Sequence, residues 1–218
     1  MLRILIFIYL LLLCILAIST YLYPKAKMNI FFKSLTSLGF ILISGLGFIQ
    51  DPSVSSPFFF LFIGLILCAL GDVSLALSHN RPLKYNLPAV CGIIFFSLAH
   101  LSFIICFIPL GLTIPMTYFL APMLLACLFL LLLLEDPFDF GTSRFLIPVY
   151  TFIISTMLLT SVFTSTTFII IGAILFVVSD IVLCFVYFFG DRYPSLRPLN
   201  YLFYYIGQLL LALVIFYL

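Results

Sequence analysis

Ile63-Gly64-Leu65-Ile66-Leu67-Cys68-Ala69-Leu70-Gly71-Asp72-Val73-Ser74-Leu75 sets a carboxylate inside an apolar run long enough to cross a bilayer. The pattern returns 108 residues later, where Ile171-Gly172 is followed by seven residues and then Asp180-Ile181-Val182-Leu183. A carboxylate at the centre of a membrane helix costs about 2.5 kcal/mol or more, and intramembrane acids generally mark a functional site. Two such acids in duplicated contexts point to one shared polar site. Small residues accompany each acid, with Gly64, Cys68 and Gly71 near Asp72 and Gly172 and Ser179 near Asp180. Small residues let a neighbouring helix approach closely, so each Asp is expected to face the bundle and not lipid.

The rest of the chain agrees with a membrane reading. Of 218 residues, 66% are hydrophobic and 7% charged, against roughly 25% charged in soluble domains. No polar stretch is long enough to form a soluble domain, and nucleic acid is not an expected partner. The six cysteines all lie in apolar runs without CxxC spacing, which reads as buried small residues and not as disulfides or metal ligands. Tryptophan is absent, so the twelve tyrosines must supply the interfacial belt.

A helix needs about 20 apolar residues to span the hydrocarbon core. Eight segments qualify, at approximately 4–22, 34–49, 57–78, 88–108, 114–134, 145–163, 167–189 and 199–217. The expected fold is therefore all-α, a polytopic membrane protein of eight transmembrane helices forming a single domain over 1–218. The first segment is too long for a signal-peptide h-region, and no A-x-A site follows it. Polar breaks such as Pro24-Lys25-Ala26-Lys27, His79-Asn80-Arg81-Pro82, Glu135-Asp136-Pro137 and Asp191-Arg192-Tyr193-Pro194 end the runs, and the short loops make neighbouring helices antiparallel.

Loops 1, 3, 5 and 7 carry Lys25, Lys27, Lys33, Arg81, Lys84, Arg144, Arg192 and Arg197, whereas the opposite side carries Arg3. This bias places those loops in the cytoplasm and both termini outward, in the inner membrane if the cell is bacterial. Asp72 then lies roughly 9 Å, and Asp180 roughly 14 Å, from the cytoplasmic helix ends at 1.5 Å per residue. Both fall in the cytoplasmic half. The offset of 108 also carries Ala99-His100-Leu101 onto Gly207-Gln208-Leu209. Because four helices separate the copies, they run the same way, which predicts a parallel 4+4 repeat with halves 1–110 and 111–218.

Other intramembrane polar residues could join the site. His100 lies mid-membrane; alone it is equally a neutral histidine bonded to a carbonyl. Tyr204, Tyr205 and Gln208 form one polar–aromatic helix face, which interhelical hydrogen bonding would also explain. Lys33 and Arg144 begin helices at the cytoplasmic surface, as topology anchors or phosphate ligands. Glu135, Asp136 and Asp139 read as a solvated loop. Neither HExxH nor G-x-S-x-G occurs, so no metal is expected, no cofactor is implied and a serine triad is disfavoured.

These residues together resemble the lysoplasmalogenase family, the YhhN-like membrane proteins. Lys33-Ser34-Leu35 resembles the family's Lys-Pro-Leu with Ser in place of Pro. Gly71-Asp72-Val73-Ser74-Leu75 fits Gly-Asp-x-x-Leu, and Phe96 with Ala99-His100-Leu101 fits the motif of helix 4. Pro148-Val149-Tyr150 followed by Met157 resembles helix 6, and Gly172 through Asp180 resembles helix 7. Tyr204-Tyr205-Ile206-Gly207-Gln208 resembles Tyr-Tyr-x-Ala-Gln with Gly for Ala. Phe103, Ile181 and Tyr187 depart from the pattern beside these motifs. The resemblance implies hydrolysis of the vinyl ether of a lysoplasmalogen to a fatty aldehyde and a glycerophosphocholine or glycerophosphoethanolamine. It implies Asp72 and Asp180 as catalytic residues. Lys33, His100, Tyr150, Tyr204 and Gln208 would contact a lysophospholipid substrate taken from membrane lipid.

The residue types suit that chemistry. A vinyl ether has no carbonyl, so an oxyanion hole would be idle. The reaction needs an acid to protonate carbon, then a base to activate water, and paired carboxyls supply both. Two other classes stay open at this level. A proton- or cation-coupled transporter would use the same Asp pair, and an assembly protein would merely pack it.

Overall fold

The structure is a computed structural model describing residues 1–24, 27–50, 56–78, 86–134, 145–189 and 193–217. Eight α-helices follow one another: α1 Leu2–Leu22, α2 Met28–Gln50, α3 Ser56–Ser78, α4 Leu87–Leu110, α5 Leu120–Leu134, α6 Leu146–Val162, α7 Thr167–Phe189 and α8 Leu196–Leu213. Short 3₁₀ turns at Met116–Phe119 and Val214–Phe216 flank α5 and end α8. The described residues contain no strand, as bilayer-crossing backbone requires when every N–H must find its partner within the segment. Six helices, α1 to α4 with α7 and α8, are long and apolar enough to cross a membrane, and α5 and α6 are shorter apolar helices. The helix count meets the expectation of eight, but full spanning length is met by six. At 114–134 the apolar run is divided, because the backbone turns through Pro115 into the 3₁₀ turn before α5 begins. These helices are those of a multi-pass integral membrane protein.

Local chemistry sets the boundaries. Asn86 caps α4, its Oδ1 accepting from the Ala89 N–H at 3.2 Å, with Pro88 in the first turn. Its Nδ2 donates to the Ser78 carbonyl at 3.0 Å, tying the end of α3 to the start of α4. The α2 helix starts at Met28 and not near residue 34. Asn29 and Lys33 lower the hydropathy of its first turns, yet both are buried against the bundle. Asn29 accepts from Ser19 at 2.9 Å and donates to the Tyr23 carbonyl at 2.7 Å, which ties α1 to α2.

Six helices form a closed ring in the order α2, α3, α4, α6, α7, α8 and back to α2. The α1 helix packs outside it on α2 and α8, and α5 packs on α6. The pairs α3/α4 and α7/α8 are packed in one register. A Cβ added at Gly64 would strike the Phe103 ring, and one at Gly172 would meet Leu211 at 3.0 Å; these pairs differ by the same 108 residues. The close approach of Gly92 to the Gly71 carbonyl becomes, at the same offset, the hydrogen bond from Asn200 Nδ2 to the Ser179 carbonyl at 2.7 Å. The α7/α8 crossing is the tighter, since a Cβ on Gly207 would lie 3.0 Å from the Gly172 carbonyl oxygen.

Candidate active site

Lys33 and Ser37 stand one helical turn apart on α2 and so share a face. Asp72 of α3 meets that face and is 1% exposed. The Lys33 ammonium lies 3.3 Å from Asp72 Oδ1. The Ser37 hydroxyl donates to Asp72 Oδ2 at 2.7 Å, and the Tyr204 hydroxyl of α8 donates to the same oxygen at 2.9 Å. The Lys33 ammonium also sits over the Tyr201 ring, 5.5 Å from its centroid. Breaking such a buried pair by removing one partner leaves an uncompensated charge and costs about 3–5 kcal/mol. A second layer of phenols supports this arrangement. The Tyr205 hydroxyl lies 3.0 Å from the Ser37 hydroxyl and donates to the Lys33 carbonyl at 3.1 Å. Tyr9 of α1 in turn donates to the Tyr205 carbonyl at 2.6 Å.

Asp180 of α7 has a different setting and is only partly buried. The Tyr150 hydroxyl of α6 donates to Asp180 Oδ2, and His100 Nε2 of α4 lies 3.1 Å from that same hydroxyl. Carboxyl, phenol and imidazole thus form a line along which a proton can be held at either end. With Asp180 ionised, Tyr150 donates to it and accepts from His100; with Asp180 protonated, both bonds reverse. The imidazole tautomer follows from this bonding. His100 is wholly buried and its Nδ1 has no hydrogen-bond partner.

Phe96 and Phe176 join the two groups. The Phe176 ring centroid lies 4.6 Å from that of His100 and 5.2 Å from that of Tyr204, and Phe96 lies 6.0 Å from both Phe176 and Tyr204. Asp72 and Asp180 thus stand at the two ends of this aromatic bridge, Tyr204 bonding the first and Tyr150, beside His100, the second. Gln208 follows Tyr204 by one turn on α8, is 0% exposed and lies beside the Cys68 thiol, and among the described residues neither of its amide atoms has a nitrogen or oxygen partner.

All seven residues singled out in the sequence therefore surround one region. Tyr204 and Lys33 belong to Asp72; Tyr150 and His100 belong to Asp180; Gln208 lies between. Lys33 is placed differently from expectation. It lies within α2, buried and committed to Asp72, and does not begin a helix at the surface, because the first turns of α2 fold inward. Arg144, the other residue read as a topology anchor or phosphate ligand, lies outside the described residues, as do Lys25, His79, Arg81, Lys84, Glu135, Asp136, Asp139 and Arg192. Sequence reading missed Ser37 and Tyr9. The i, i+4 spacing of Ser37 from Lys33 was its one available signal; Tyr9 carried none.

The side chains that bond Asp72 and Asp180 come from α2, α6 and α8, all within the stretch of chain that a family model matches. The model of the YhhN family matches residues 28–215, from the start of α2 to the end of α8. No curated protein and no solved structure gives a match.

Proposed function

The chain belongs to the YhhN family, which contains lysoplasmalogenases, and from that premise we propose that it hydrolyses the vinyl ether of a lysoplasmalogen. Asp180 is the acid and Asp72 the base. The observation that carries this division is the unequal wiring of two neighbouring carboxyls. Asp72 accepts two hydroxyl hydrogens and faces the Lys33 ammonium, a setting made for a carboxylate. Asp180 meets a phenol that can either donate to it or accept from it, a setting that admits the protonated acid.

In the first step Asp180 gives its proton to the vinyl carbon distal to oxygen, and the double-bond electrons form the new C–H bond. The resulting oxocarbenium ion is stabilised by the Asp72 carboxylate. Water adds to the carbon bearing oxygen and passes a proton to Asp72. The hemiacetal hydroxyl then gives its proton to the Asp180 carboxylate as the C–O bond breaks, the aldehyde forms, and the glycerol oxygen leaves with the proton held on Asp72, so both acids return to their starting forms. Tyr150 and His100 orient Asp180 throughout. Paired carboxyls divide acid and base work in glycosidases through a comparable cation.

The lipid enters from the cytoplasmic leaflet, its chain among the helices and its phosphate toward the Lys/Arg-rich loops, with both termini outward. The common register of α3/α4 and α7/α8 supports a parallel 4+4 duplication about an axis along the membrane normal.

The test uses purified protein in detergent. A vinyl-ether lysolipid should yield free aldehyde, and its saturated-ether twin should yield none. If the vinyl ether is left intact while sealed vesicles show proton or cation flux, a transporter replaces the hydrolase.

A further inference from the structure

Gln208 is the buried polar group that the scheme above leaves without a task. It is 0% exposed, and among the described residues neither amide atom has a nitrogen or oxygen partner; the amide lies against the Cys68 thiol, a weak hydrogen-bonding group. Leaving a buried amide unpaired costs roughly 1–3 kcal/mol per group, so an apolar residue of equal size would serve packing better. Its position explains what could satisfy it. Gln208 lies one turn from Tyr204 on α8, and Cys68 one turn from Asp72 on α3. Cys68 lies beside both Gln208 and Tyr204 and within electrostatic reach of both aspartates. The carboxamide therefore lies on the Cys68 side of the Asp72–Tyr204 layer, about one helical turn, or 5.4 Å, from it.

We infer that Gln208 holds the water that adds to the oxocarbenium carbon. The inference rests on the hydrolase reading. A carboxamide can accept one water hydrogen on Oε1 and donate from Nε2 to a water lone pair. Asp72 can take the other hydrogen. Its Oδ2 accepts from Ser37 and Tyr204, whereas Oδ1 faces the Lys33 ammonium, and an sp² oxygen accepts two bonds. The remaining water lone pair faces the carbon. Being neutral, the amide cannot collapse onto the cation as a third carboxylate would. Water addition forms the C–O bond and sends one proton to Asp72; no other co-reactant is needed.

The inference makes Gln208 act after proton transfer to carbon, which an isotope experiment reads directly. In D₂O the wild type should convert substrate without placing deuterium in the recovered lipid, because hydration follows protonation at once. In Gln208→Met and Gln208→Leu the cation should instead persist, rotate about its new C–C single bond and lose protium from that carbon to the Asp180 carboxylate, leaving the deuterium behind. Recovered substrate should then carry deuterium at the vinyl carbon distal to oxygen. Turnover should fall by roughly 10²-fold, the scale for a misplaced reactant, with KM changed less than threefold, on the order of a weak contact. Thermal stability should hold or rise, since an unpaired amide has been replaced by an apolar group. Lost stability without deuterium uptake makes Gln208 structural and overturns the inference, as does a rise in KM with kcat intact. A wild type that releases no aldehyde overturns the hydrolase reading itself, and the inference with it.

Discussion

At the scale of the residue, two aspartates of like context have unlike neighbours, and the reason lies in single atoms. The offset of 108 carries Tyr204 back onto Phe96, which has no hydroxyl. Asp72 therefore gains a phenol hydroxyl from α8, whereas Phe96 has none to offer and packs its ring against Gly71 and Phe176. Asp→Asn keeps shape but can neither give nor take the proton. Asp72→Asn and Asp180→Asn should each remove nearly all aldehyde release while the protein still inserts. The double variant should be hardly slower than either single, since groups acting as one unit are not additive. The pH–rate profile should be bell-shaped, its limbs belonging to the pair. Lys33 supplies a separate test. Lys33→Met strands the Asp72 carboxylate and should cost about 3–5 kcal/mol in stability. Adding Asp72→Asn should restore most of that stability and none of the activity, as read by thermal unfolding and aldehyde release in parallel.

At the scale of the element, close helix crossings set the site. Gly207 and Gly172 approach backbone to backbone, so a Cβ on Gly207 lies 3.0 Å from a carbonyl oxygen and 3.3 Å from the Phe176 nitrogen. Backbone atoms cannot swing aside as a side chain can. Gly207→Ala should destabilise by about 1–3 kcal/mol, the usual range for overpacking. Gly45 on α2 is the control, because its Cβ would meet only the Phe62 ring at 3.7 Å, an ordinary contact. Gly45→Ala should be neutral or stabilising by up to about 1 kcal/mol through helix propensity. Detergent-phase melting temperatures decide between the two signs. The helices themselves were legible in the sequence, α7 to the residue, because a long apolar run is its own signal. The start of α2 was not, since Asn29 and Lys33 look like loop residues until their buried partners are known.

At the scale of the whole molecule, the ring of six helices is dressed unequally. The α1 helix lies against both α2 and α8, and Tyr9 reaches the backbone of Tyr205; α5 leans on α6. The connections α4–α5 and α6–α7 meet on one face, where the Leu112 N–H donates to the Phe163 carbonyl at 3.1 Å. The charge bias predicts that this face is external. Cysteines introduced at Thr113 and Ser165 in a cysteine-free background should react with an impermeant maleimide added outside intact cells. Cysteines at Lys27 and Tyr193 should react only after permeabilisation. The reverse pattern would invert the topology and move the site opening to the outer leaflet.

The sequence by itself determined that this chain is built of apolar helices that suit a membrane and that there are eight of them, and it predicts that Asp72 and Asp180 share one polar site. Apolar length and the cost of a buried carboxylate are sums over local residues, so they need no knowledge of neighbours. Only the tertiary structure decided which acid receives Lys33, which receives Tyr150, and that Ser37 and Tyr9 take part. Those partners come from other helices, 35 residues away for Ser37 and 132 for Tyr204 in the case of Asp72. Which face of a nearly all-apolar helix turns inward is set by its packing against the others, through close glycine contacts and hydrogen bonds that form only once the ring has closed.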